Sequence, residues 1–122
     1  MLFRSKAAAH PATTQQKEQE PPEEDAIVGA KEYSFNPLQA SKELRVGNYY
    51  YKQGKYRAAS LRFIEATKWD GSLAEAYLRL GEAREKQHVR KGAAEAYAKY
   101  LEVAPDAKDA VDVKKRLDKI KK

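Results

Sequence analysis

The stretch LRVGNYYYKQGKY, residues 44–56, carries two glycines, four tyrosines and three cations. Successive residues of a helix step by about 100° around its axis, so Tyr49, Tyr50 and Tyr51 cannot share one face. One ring can enter a core while another faces solvent. Gly54 stands where a left-handed residue is wanted just past a helix C-terminus. The stretch therefore reads as the end of one helix, a tight turn, and the first residue of the next helix at Tyr56.

Outward from that turn the chain repeats itself. LRVG at 44–47 recurs as LRLG at 78–81, an offset of 34 residues. At the same offset Lys52-Gln53 recurs as Lys86-Gln87, Ala59 as Ala93, and Phe63 as the aromatic Tyr97. Aligning 40–73 with 74–107 gives seven identities in 34 positions. Asn36-Pro37 starts the periodic part, because Asn caps a helix and Pro fits its first position, where no N–H bond is needed. Five helices are predicted: Pro37–Gln53, Tyr56–Lys68, Leu73–Lys86, Arg90–Val103 and Lys108–Lys121. In the last, Ala110, Val113, Leu117 and Ile120 recur at helical spacing and give one apolar face amid charge.

A helix–turn–helix period of this length resembles the tetratricopeptide repeat (TPR). The first repeat matches the family pattern at Gly47, Tyr50, Ala59, Phe63 and Ala66, with Gly71 where the pattern has proline. The second matches at Tyr77, Leu80, Gly81, Ala93, Tyr97 and Pro105. It departs at Arg84 for an aromatic, His88 for the turn glycine and Tyr100 for a small residue, and Tyr100 is expected to fill space beside Arg84. The resemblance implies an all-α fold: a short solenoid of two repeats, about 40–73 and 74–107, closed by a capping helix over 108–121. In that fold Gly47, Gly81, Ala59 and Ala93 are small because antiparallel helices touch there, and Tyr50, Phe63 and Tyr97 fill the space beside them. Trp69 is expected to pack in the core or between repeats.

The resemblance also implies function. TPR proteins are non-catalytic interaction modules, adaptors or scaffolds that bind a peptide or protein along a concave helix face. The positions that point into that groove are Leu44, Arg45, Asn48, Tyr51 and Lys52 in the first repeat, with Leu78, Arg79, Glu82 and Glu85 in the second. Tyr51 is expected as an exposed aromatic anchor, and the competing reading is a plain solvated helix face. The carboxylate clamp of co-chaperone-type members is not matched: Leu44 stands in place of its lysine and Arg79 in place of its second asparagine. Residues 43–68, ELRVGNYYYKQGKYRAASLRFIEATK, are also similar to a helix pair of BamD-type lipoproteins, bacterial TPR scaffolds of outer-membrane assembly. That family carries a lipidated N-terminal cysteine and about five repeats, whereas this chain has two repeats and no cysteine.

Composition narrows the alternatives. Of the 122 residues 34% are charged and 42% hydrophobic, and no apolar run approaches the roughly 18 residues of a membrane span. Residues 1–36 hold four Lys/Arg against six Asp/Glu and residues 37–122 hold twenty against twelve, so a basic part follows an acidic one. Residues 1–35, rich in Ala, Pro, Gln and Glu, read as a disordered acidic linker, because such a stretch buries too little apolar surface to offset the entropy of ordering. No signal-peptide core follows Arg4 and Lys6. Residues 2–5, Leu-Phe-Arg-Ser, match the translation of a common sequencing-adapter end, which is the alternative to an ordinary start. A lipid tether and a periplasmic or outer-membrane setting are expected only if the natural N-terminus lies upstream; otherwise the cytoplasm is expected.

No phosphate loop, nucleophile–histidine pairing or paired carboxylates point to catalysis, so an enzyme, a small-molecule substrate and a cofactor are not expected. His10 and His88 are isolated in sequence, and no metal site is expected. Two rival functions remain: self-association as part of a larger protein, and a basic surface for nucleic acid or anionic lipid. Nucleic acid is disfavoured, because lysines in the closing KKRLDKIKK suit a helix C-terminus on their own.

Overall fold

The structure is a computed structural model, and it describes residues 32–122. The readings made of the sequencing-adapter match, the signal-peptide test, His10 and most of the linker lie outside the described residues. Five helices and no strand occur among the described residues: α1 (Pro37–Lys52), α2 (Tyr56–Trp69), α3 (Ala74–Lys86), α4 (Arg90–Val103) and α5 (Ala110–Lys121). Each limit falls within two residues of the sequence expectation. Each helix packs on the next in the chain, and α1 also touches α3. No helix of the described residues is long and apolar enough to cross a membrane.

Capping chemistry fixes the ends. Asn36 Oδ1 accepts from Gln39 N at 3.0 Å, with Pro37 in the first turn of α1. At the other end of α1, Gly54 has φ 79°, and the N–H groups of Gly54 and Lys55 donate to the carbonyls of Tyr51 and Tyr50, each at 3.0 Å. This reciprocal pair closes the helix and turns the chain into α2. The same hydrogen bonds recur after α3, where His88 N donates to Glu85 O at 3.0 Å and Val89 N to Arg84 O at 2.9 Å. His88 adopts φ 63°, so a side-chain-bearing residue occupies the left-handed conformation that Gly54 adopts without a Cβ.

The two helix pairs share one close contact. A Cβ added to Gly81 would lie 2.5 Å from Tyr97 Cε1, and one added to Gly47 would come closer still to Phe63 Cε1. Phe63 and Tyr97 are the largest fully buried side chains among the described residues. Around Phe63, Tyr50, Ala59, Leu80, Ala83 and Ala96 form one core cluster. Around Tyr97, Ala93, Tyr100, Val113 and Leu117 form the other, so α5 buries its apolar face against the second pair.

Two placements depart from the sequence reading. Tyr100 does not fill the space beside Arg84. It packs with Tyr97 and Val113 and its hydroxyl donates to Asp109 Oδ1, while Arg84 donates through Nη1 to the carbonyl of Gly92 at 3.0 Å. The two sit toward opposite ends of the second pair, because antiparallel helices bring the end of α3 to the start of α4. The folded part also begins before residue 36. Tyr33 packs edge-on to Trp69 at 5.0 Å between ring centroids and donates to Glu65 Oε2 at 2.6 Å. Trp69 therefore packs under the segment entering α1, and its Nε1–H is buried without a hydrogen-bond partner among the described residues. Glu43 and Arg62, which the sequence reading did not single out, are buried. Arg62 Nη1 lies 3.0 Å from Glu43 Oε1, and Gln39 Nε2 donates to the other carboxylate oxygen at 2.9 Å.

Candidate functional site

Positions 48, 82 and 116, on α1, α3 and α5, are spaced by 34 residues. Asn48, Glu82 and Arg116 then form a polar ladder on one face, joined by long side chains. Arg79 donates through Nε to Asn48 Oδ1 at 3.0 Å and through Nη1 to Glu82 Oε1 at 2.7 Å. Arg116 reaches from α5 to Glu85 Oε1 at 2.7 Å and to Glu82 Oε2 at 3.5 Å, and its guanidinium lies 5.1 Å from the centroid of the Tyr97 ring. Tyr97 completes the ladder by donating its hydroxyl to Glu85 Oε1 at 2.5 Å. Burial and that carboxylate raise the Tyr97 phenol well above its ordinary range.

Beside the ladder lies an open pocket of about 590 Å³, between α1, α3 and the turn leading into α5. Asn48 and Lys52 line it from α1, Leu78, Arg79 and Glu82 from α3, and Tyr100 and Asp109 from the end of α4 and the residue before α5. Glu75, in the first turn of α3, adds a carboxylate. Its charged lining is mixed, with Lys52 and Arg79 beside Glu75, Glu82 and Asp109, while Ala74, Leu78, Ala104 and Ala107 add apolar surface. The hydrogen bond to Asp109, with burial, pushes the Tyr100 phenol up to about 12. It stays protonated at neutral pH as a fixed donor to Asp109.

Of the nine residues singled out from sequence, Asn48, Lys52, Leu78, Arg79 and Glu82 line this pocket. The other four do not. Arg45 is exposed outside it, and Leu44 is half-buried against the first core cluster. Glu85 is engaged by Tyr97 and Arg116. Tyr51, expected as an exposed anchor, is half-buried. Its ring meets Tyr56 edge-on at 5.1 Å, and the Arg79 guanidinium lies over it at 4.8 Å from the centroid. A cation over an aromatic face is attracted by the ring quadrupole, so Tyr51 serves to seat Arg79. Sequence reasoning missed Glu75, Asp109 and Arg116; the spacing of 34 residues between Arg116 and Glu82 was the available signal.

Among the described residues no group of three or more His, Asp or Glu side chains is placed to hold a metal ion. His88 lies in the exposed α3–α4 turn. No protein-family model and no curated protein matches this sequence.

Proposed function

We propose that the protein is a non-catalytic interaction module of TPR type, which binds a peptide segment of another protein in the pocket between α1, α3 and the start of α5. The observation that carries this reading is the pocket itself. It is open, it offers apolar surface at Leu78, and its lining carries a cation at Lys52 and carboxylates at Glu75 and Asp109. A peptide with one apolar side chain between a basic and an acidic residue complements all three features. The repeated glycine–ring contacts and the repeated turn hydrogen bonds support the family assignment. The similarity of residues 43–68 to BamD-type scaffolds makes an envelope assembly complex the first setting in which to seek the partner.

A displayed library of random peptides, selected on the full chain, tests the pocket. Selected peptides are expected to lose about tenfold or more in affinity for Lys52→Glu and for Glu75→Lys, since both are exposed lining residues whose charge is reversed. Circular dichroism of both variants should match the wild type. Peptides that bind both variants as tightly as the wild type would remove the pocket from consideration.

A further inference from the structure

A second recess runs between α4 and α5 and shares no lining residue with the pocket described above. Two cavities lie along it, of about 380 and 540 Å³. Ala94, Ala98, Leu117 and Ile120 provide the apolar surface of the first; Leu101, Pro105, Ala110 and Val111 provide that of the second. Residues 94, 98 and 101 follow one edge of α4, at four- and three-residue steps that keep to one helix face. Residues 121, 117, 114 and 110 follow α5 in the opposite direction. The Arg90 guanidinium, hydrogen-bonded to the carbonyl of Ile120 at 2.6 Å, ties the start of α4 to the end of α5. The two cavities therefore lie one after the other along the α4–α5 seam, which is roughly 20 Å long as set by the length of α4.

Two properties of the groove specify what fits it. Its floor is apolar and partly open: alanine at 94 and 98 leaves room above the backbone, and Val111 is 66% exposed. Its rim is cationic, since Arg90, Lys91, Lys115 and Lys121 line it together with Lys114, which is paired with Asp118 at 3.0 Å, while Glu95 is the one carboxylate among the described lining residues. A second copy of this chain docked through the same face would set lysine against lysine, which disfavours a symmetric pair. A phosphate backbone or lipid headgroup would meet the rim and leave the floor uncovered. We infer that the α4–α5 groove is a second docking surface, which takes an amphipathic helix of a partner protein whose apolar stripe is flanked by aspartate or glutamate. Helix-in-groove packing of this kind places side chains at i, i+4 and i+7 into the recess.

The probe is a labelled synthetic helix of about four turns, with leucines at i, i+4, i+7 and i+11 and glutamates flanking them; its twin carries lysines in place of the glutamates. Fluorescence anisotropy with the full chain should show saturable binding of the acidic peptide and about tenfold or more weaker binding of its twin. Ala98→Arg fills the floor at an exposed position with another good helix former. It should cost the acidic peptide about tenfold in affinity with the circular dichroism spectrum unchanged. The double variant Lys91→Glu/Lys115→Glu should reverse the preference between the twins. Equal affinity for the two peptides, or binding of the acidic one that Ala98→Arg leaves intact, overturns the proposal. So does a concentration-dependent dimer by light scattering that Ala98→Arg abolishes, because the groove would then belong to a second copy.

Discussion

The pair α1–α2 and the pair α3–α4 have the same geometry built from different side chains. In both, a glycine lets an aromatic ring lie against the facing backbone, Gly47 under Phe63 and Gly81 under Tyr97. In both, the first helix ends in the same two hydrogen bonds around a residue of positive φ. Elsewhere they diverge: Tyr50 corresponds to Arg84, Gly54 to His88, and Ala66 to Tyr100. The first pair builds its core from Tyr50, Ala59 and the buried Glu43–Arg62 ion pair, and Leu80, Ala83 and Ala96 of the second pair pack into it. The second borrows from its neighbour, since Val113 and Leu117 complete its cluster and Arg116 covers Tyr97. A few steric contacts thus fix how two helices pair, while the surrounding positions are free to adapt to what lies next to them.

The largest test of that equivalence truncates the two rings. Phe63→Ala and Tyr97→Ala should each cost about 3–5 kcal/mol in urea unfolding, as expected for a fully buried aromatic. A loss under about 1 kcal/mol for either would break the comparison, because a ring closing its pair cannot be removed so cheaply. Smaller, and of opposite sign in the two pairs, is the effect of the turns. Gly54→Ala should destabilise and His88→Gly should stabilise, each by about 1 kcal/mol, because only one of the two positions bears a Cβ in left-handed backbone. Thermal melts read both changes, and a destabilising His88→Gly would mean the imidazole makes a contact that outweighs its backbone strain.

The smallest effect is confined to alkaline pH. The Tyr100 phenol is pushed up to about 12 by its hydrogen bond to Asp109 and by burial. The Tyr33 phenol is pushed up to about 12 by burial and by its hydrogen bond to Glu65. An unfolded tyrosine gives up its proton near pH 10, about two units earlier. Both groups therefore contribute stability that is fully present below about pH 10 and is lost as pH rises toward about 12. In Tyr33→Phe/Tyr100→Phe the melting temperature should fall less steeply between about pH 10 and 12 than in the wild type. Parallel slopes would mean that neither hydroxyl is held by its carboxylate.

The helices, the glycine–ring contacts and the turn at Gly54 were legible because each leaves a local mark: a period, a small residue opposite a large one, a glycine past a helix end. The interactions that were not legible join residues with no such mark. Glu43 and Arg62 are charged residues on different helices, and charge in a helix reads as a solvated face until both partners are seen buried. Tyr33 is a lone aromatic in a polar stretch, so nothing periodic signals that it covers Trp69. The groove positions came from a family pattern that specifies direction but not occupancy. It located Asn48, Lys52, Leu78, Arg79 and Glu82, and it did not foresee that Arg79 would lie over Tyr51 or that Arg116 would engage Glu85.

Packing that runs from each helix to its chain neighbours has a consequence for how the molecule forms and opens. Contacts made between adjacent helices require little loop closure, so this part of the chain belongs among the fast folders, on the order of milliseconds or less. The same arrangement denies it a single all-or-none seam. Helix α5 packs on α4 alone, apart from the reach of Arg116 to α3. Its amides should exchange with solvent through local opening, ahead of those in α2 and α3, which are clasped on both sides.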